Sequence, residues 1–292
     1  MEITDLRQRT IANILARQDD QFRWGFDEQQ ARERPELLYY WPKYKATLWT
    51  LLLLADIKAP IQNPQIDQAF DLVEQQFFDK SNQIFSLGMG GHFPIPCLNG
   101  NMLYLHFYLH RPYTGQVDGV VEFFNRYQRF DDGDFKTLKA FPYFSNTACY
   151  GKHTCFWGVI KLLKGLSFIP EAQRTQSVQS LIGNCIDFVL QHEVCFSSHN
   201  KDEFLRVNIG ALTFPSLWWD DFLETLWLLS REKINDKRMA RALDLLRSRQ
   251  KGDGTWGLEH PVPNLIISMG RKGGANAFIT ERAAEVLDFY GH

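Results

Sequence analysis

Cys149 and His153 stand four residues apart, a spacing that in a helix stacks two side chains on one face, one turn apart. A thiolate and an imidazole so placed suit Zn²⁺, which takes nitrogen and sulfur ligands in a tetrahedron. Cys97, in Pro96-Cys97-Leu98-Asn99, opens an earlier apolar segment and is the third candidate ligand, with a fourth position left for water or substrate. The competing reading is that these are small buried cysteines beside a packing histidine, because free Cys is commonly buried for packing alone. A second constellation is Asp220-Asp221-Phe222-Leu223-Glu224. Carboxylates one turn apart can hold Mg²⁺ against a diphosphate, which makes Asp220 and Asp221 candidate catalytic residues beside His153. Carboxylates at a helix start also stabilise the helix dipole with no further role. Lys45, Lys152 and Arg282 fall near the starts of apolar segments and are candidates for receiving a diphosphate. Trp157, Trp219 and Tyr104 are candidate walls for an apolar substrate, since ring faces attract a cationic centre. Plain core packing accounts for any one of them equally well.

The elements that must position these residues are helices in pairs. Apolar runs over 44–55, 99–110, 151–166, 218–230 and 278–290 each read as a first helix. Amphipathic runs over 66–77, 117–128, 177–191 and 237–250 read as second helices, and Leu6 to Leu15 supplies one more second helix without a partner before it. The unpaired runs at the two ends predict that the chain's first and last segments complete each other. That would close a ring of five to six hairpins, with the more apolar helices inside and the more charged ones outside. An open helical array is the alternative. In a ring, the N-terminal ends of the inner helices form one rim, and Lys45, Cys97, Cys149, Lys152, His153, Asp220, Asp221 and Arg282 all fall near that level. Unpaired N–H groups there suit anions.

A repeat supports this arrangement. Arg17-Gln18-Asp19-Asp20-Gln21-Phe22-Arg23-Trp24-Gly25 and Arg249-Gln250-Lys251-Gly252-Asp253-Gly254-Thr255-Trp256-Gly257 both place Trp six residues after Gln. The box from Gln128 is weaker, with Phe135 where the others have Trp, and Asp131-Asp132-Gly133-Asp134 within it reads as a turn. Gln at 18, 76, 128, 191 and 250 gives gaps of 58, 52, 63 and 59 residues, the mark of helix pairs joined by loops of unequal length.

This grammar resembles the α/α-toroid superfamily of terpenoid cyclases and protein prenyltransferase β subunits. The Gln-to-Trp boxes at 18–25 and 250–257 are similar to the QW-type repeats of squalene and hopene cyclases. The resemblance implies an all-α, single-domain α/α toroid over residues 1–292. It also implies a prenyltransferase-like or terpenoid cyclase-like enzyme that takes an isoprenoid or other lipid into a central hydrophobic cavity. His153-Thr154-Cys155 resembles the segment bearing the zinc-ligand His of prenyltransferase β subunits, whose Asp-x-Cys pair has no counterpart here. Cys149-Tyr150-Gly151 resembles a segment of the lanthipeptide cyclases, toroids that use zinc to activate thiols, although their Cys-His-Gly motif is absent. The implied cofactors are zinc through Cys97, Cys149 and His153, and magnesium at the acidic box. Without the Asp-x-Cys and Asp-x-Asp-Asp motifs, a non-catalytic toroid that binds a lipid or peptide is the alternative, and a lanthipeptide cyclase-like zinc enzyme is a third reading.

Composition narrows the field. A net charge of −2 over 292 residues gives no electrostatic reason for nucleic-acid or anionic-membrane binding. Aromatics at 14%, with 8 Trp and 23 Phe, predict a large core or an aromatic-walled cavity. The longest apolar run, Leu48 to Ala55, is too short to span a bilayer. Five scattered Cys and no leader-like start at Met1-Glu2-Ile3 predict free thiols in a reducing cytoplasm.

Overall fold

In the computed structural model, residues 3–88, 93–133, 135–144 and 146–291 are described. Met1, Glu2 and Asp134, which enter the readings above, lie outside them. About half the chain is helix, 51%, and the strands are two-residue fragments, so the class is all-α. The helices are α1 (Ile3–Leu15), α2 (Glu28–Glu33), α3 (Thr47–Asp56), α4 (Pro64–Phe77), α5 (Pro96–Tyr108), α6 (Gly115–Tyr127), α7 (Thr147–Tyr150), α8 (Phe156–Ser167), α9 (Gln176–Gln191), α10 (Phe222–Arg231), α11 (Ala240–Ser248) and α12 (Ala277–Tyr290). All ten helices expected from periodicity are among them. The short α2 and α7 carry too little periodicity to be read in advance. No helix among the described residues is long and apolar enough to cross a membrane.

The chain divides into two compact units. One comprises Met1–Gly25, Pro42–Pro60 and Val189–His292; the other comprises Phe26–Trp41 and Ile61–Phe188.

In the first unit the repeat is visible atom by atom. Trp24 donates its indole N–H to the Ile14 carbonyl and Trp256 donates to the Leu246 carbonyl, both at 2.8 Å. The Trp24 backbone N–H bonds the Thr47 hydroxyl at 3.2 Å, and that of Trp256 bonds Thr280 at 3.0 Å. Each box therefore ties the end of a second helix to the first turn of the next first helix. A buried indole needs its N–H paired, and each of these last-turn carbonyls accepts it beside one backbone N–H, from Arg17 and Arg249 respectively. The termini meet within this unit: Arg7 of α1 makes a two-pronged pair with Glu281 of α12, at 2.6 and 2.8 Å. Glu224 and Trp227 of α10 bond Arg282 and Glu285 of α12 in matching order, so the two helices run parallel.

In the second unit α5 and α8 also run parallel and touch backbone to backbone. A methyl group at Gly100 would stand 2.1 Å from the Lys161 carbonyl oxygen, and one at Gly165 would stand 2.5 Å from the Gly100 oxygen. Glycine at these two positions allows the approach, and it brings the N-terminal ends of both helices to one level. Helix starts are set by side-chain caps: Asn63 on α4, Asn146 on α7, Asp221 on α10 and Asn276 on α12 accept from backbone N–H groups.

Candidate functional site

The run expected to be helical from Gly151 becomes helical only at Phe156, and α7 ends at Tyr150. Arg129 explains the break. Its guanidinium donates to the carbonyls of Tyr150 (3.3 Å), Gly151 and Lys152 (2.9 Å), consuming acceptors that a continuing helix would need. Asp131 holds Arg129 in a bidentate pair at 2.6 Å on each arm, and the guanidinium lies 3.5 Å over the Phe135 ring. That hydrogen-bonded pair keeps the Asp131 carboxyl below its ordinary range. The weak third box, with Phe for Trp, is therefore a clamp on the cysteine segment.

The consequence for the candidate ligands is specific. Cys149 and His153 do not share a helix face, because the backbone leaves the helix between them. His153 is exposed, and its ring lies over the 131–133 turn: a Cβ at Gly133 would come within 2.7 Å of it. Cys155 stands in its place. The Cys155 thiol is in hydrogen-bonding reach of both Cys97 and Cys149, and those bonds together with burial push both thiols well above the ordinary range. Cys97 sits in the first turn of α5 and Cys155 is the residue before α8, so two parallel helix N-termini bracket the trio. Asn146 donates to the Cys149 sulfur at 3.2 Å, and the fully buried Lys161 favours a thiolate at Cys97. Tyr150, 2% exposed, is close enough to feel all three thiols, and its hydroxyl has no hydrogen-bond partner among the described residues. Burial, then the thiols, push its phenol up.

As placed, no three His, Cys, Asp or Glu side chains among the described residues surround a point where a metal ion would sit. Cys149 and His153 do not share the helix face from which the Cys97, Cys149 and His153 ligand set was read. A trio of thiols linked by S–H···S bonds is the protonated form of a sulfur donor set. Ligation would remove those protons and spread the sulfurs to about 2.3 Å around an ion. The chemistry of Cys97, Cys149 and Cys155 fits a thiophilic cation.

The acidic box is absorbed by its own unit. Asp221 caps α10, accepting from Glu224 N at 2.9 Å and from Thr213 N at 2.7 Å. Glu224 pairs with Arg282, whose guanidinium also lies 4.4 Å over Trp227. Asp220 accepts from the Ser216 hydroxyl. Each of these carboxyl groups is buried with a partner inside the first unit, as is Arg282. Burial raises the Asp221 carboxyl to about 7, against the two backbone bonds that lower it. Between the ordinary value of 3.8 and about 7, the native state keeps a proton that the unfolded chain releases. Stability is therefore greatest below that window and falls as pH rises through it. Urea midpoints at pH 5 and 7.5 are expected to show the drop, on the order of a few kcal/mol at most, and Asp221→Asn is expected to flatten it.

The remaining candidates scatter. Lys45 and Trp219 lie with the acidic box in the first unit; Lys152, Trp157 and Tyr104 lie with the thiols in the second. Lys45 and Lys152 are exposed. Trp219 is 36% exposed and tilts against His260 at 6.0 Å, while Trp157 is half-buried. Tyr104 is buried between Tyr108 and Phe168, with the Lys164 ammonium 4.2 Å over its ring. Sequence reasoning missed Cys155, Arg129 and the two fully buried lysines, Lys161 and Lys164. The available signal was a lysine recurring at i and i+3 inside an otherwise apolar helix.

No protein-family model matches the chain, and no curated protein sequence matches it.

Proposed function

We propose that this protein is a zinc-dependent enzyme of the α/α-toroid type, prenyltransferase-like or terpenoid cyclase-like, with its metal on Cys97, Cys149 and Cys155 rather than on His153. The observation that carries the reading is the meeting of three thiols at the N-termini of two parallel helices. Packing alone does not call for two thiols within hydrogen-bonding reach of a third, beside a buried phenol that feels their charge. The two helix dipoles, Lys161 and the Asn146 donor all favour the thiolates that ligation requires. When bound, zinc would supply Lewis acidity that readies a thiol or a water as nucleophile. Around it, Arg129 holds the Cys149 segment in place, and the substrate of this reading is hydrophobic, an isoprenoid or lipid. The ring architecture is supported by the parallel helix pairs, by the Trp24 and Trp256 boxes and by the Arg7–Glu281 closure. The sulfur-only donor set favours a second reading, a lanthipeptide cyclase-like enzyme whose substrate is itself a thiol.

Elemental analysis of the protein purified under reducing conditions is the test. About one zinc per chain is expected, lost in Cys149→Ala and Cys155→Ala and kept in His153→Ala. Failure to take up zinc on reconstitution, or loss of zinc from the His153 variant alone, would overturn the assignment. Incubation with isoprenyl diphosphates, followed by released diphosphate, then separates the isoprenoid substrate from a thiol peptide.

A further inference from the structure

The other unit carries an aromatic cage that already holds a cation of its own. The Lys43 ammonium stands 3.9 Å over the Trp218 ring and 5.6 Å over that of Trp49. Trp49 meets Trp218 edge-on at 6.4 Å, and Tyr44 packs edge-on against Trp49 at 5.2 Å. The walls are fixed. Trp49 is 1% exposed on α3 and Tyr44 is buried. The segment that presents Trp218 is pinned at Ser216, whose backbone N–H bonds Asp56 at 2.7 Å and whose hydroxyl bonds Asp220. Ring faces on more than one side of an ammonium are the arrangement that recognises methylated amines, because the ring quadrupoles attract the charge while the methyl groups fill the apolar walls. A lysine ammonium, compact and strongly hydrated, fills such a cage less completely than a permethylated one. Lys43 is partly exposed, and its ammonium is the cation a ligand would displace.

We propose that Trp49 and Trp218, with Tyr44 packed behind Trp49, form a binding site for a small quaternary ammonium ligand, with Lys43 as the tethered ion the ligand displaces. This site is independent of the thiol trio and of the reaction proposed for it. A tethered competitor acts at an effective concentration on the order of millimolar, so the intact protein binds such a ligand weakly, and removing the tether reveals the site.

Choline is the probe, with 3,3-dimethylbutan-1-ol as its uncharged isostere, both titrated at constant ionic strength while tryptophan fluorescence and thermal midpoint are followed. Lys43→Ala is expected to bind choline roughly tenfold or more tightly than the parent, to ignore the isostere, and to lose binding when Trp218→Leu is added. If Lys43→Ala does not fold, Lys43→Met, which keeps the stem and drops the charge, makes the same comparison. Equal binding of the isostere, no gain on removing the Lys43 charge, or choline binding that survives Trp218→Leu would each overturn the site.

Discussion

Gly100→Ala is expected to cost at least about 2 kcal/mol of stability, against a helix-propensity gain of about 1 kcal/mol that the same change gives elsewhere. The added methyl would stand 2.1 Å from the Lys161 carbonyl oxygen and 2.2 Å from its carbon, both backbone atoms of α8. A side chain can rotate away; a helix backbone moves only as a whole. α5 and α8 would separate, and with them Cys97 and Cys155. Gly183→Ala is the control, since a Cβ at that position in α9 meets nothing within 4 Å. It is expected to stabilise by about 0.5–1 kcal/mol. Urea unfolding of both variants checks the sign, and thiol titration of Gly100→Ala checks whether the cysteines become accessible when the helices part. Equal effects at the two glycines would mean that the helix contact is looser than drawn.

Arg282→Met is expected to destabilise by about 3–5 kcal/mol, because it leaves the Glu224 carboxylate buried without its cation. The Glu224 side chain is 2% exposed and that of Arg282 is 10% exposed, so water cannot replace the lost partner. The double variant Glu224→Leu/Arg282→Met removes both charges and is expected to regain most of the loss, as buried ion pairs replaced by apolar groups commonly do. A double-mutant cycle on thermal or urea midpoints measures the coupling. Simple additivity would place Arg282 outside the pair and reopen its reading as an anion-receiving residue.

The parts of this fold that were legible in advance are those governed by local periodicity and by a repeated local motif. The runs at Leu48 to Ala55, Met102 to Leu109 and Val159 to Leu166 are too apolar for anything but buried helix. The two Trp boxes announced that distant segments share one geometry, and their hydrogen bonds agree pair for pair. Helix starts were read three to five residues early at α3, α8 and α10. Each start depends on what meets the first turn, and for α8 the partner that breaks the preceding run is Arg129, in a different loop.

The candidate site shows the same division. Cys97 and Cys149 were visible as residues able to bind a soft cation, a chemistry independent of context, whereas Cys155 was not read as a ligand. Pairing Cys149 with His153 assumed that the backbone between them stays helical, and a guanidinium from another segment cancels that assumption. The amino-acid order alone determined helical class, element order, the repeat and the presence of sulfur donors, because each depends on neighbours within a few turns. Only the tertiary structure decided that Cys155 joins Cys97 and Cys149, that the acidic box is consumed by caps and an ion pair, and that Lys43 rests on Trp218. Those outcomes turn on contacts between residues far apart in the chain, where close approach, burial and competing hydrogen bonds select among partners that local pattern leaves equivalent.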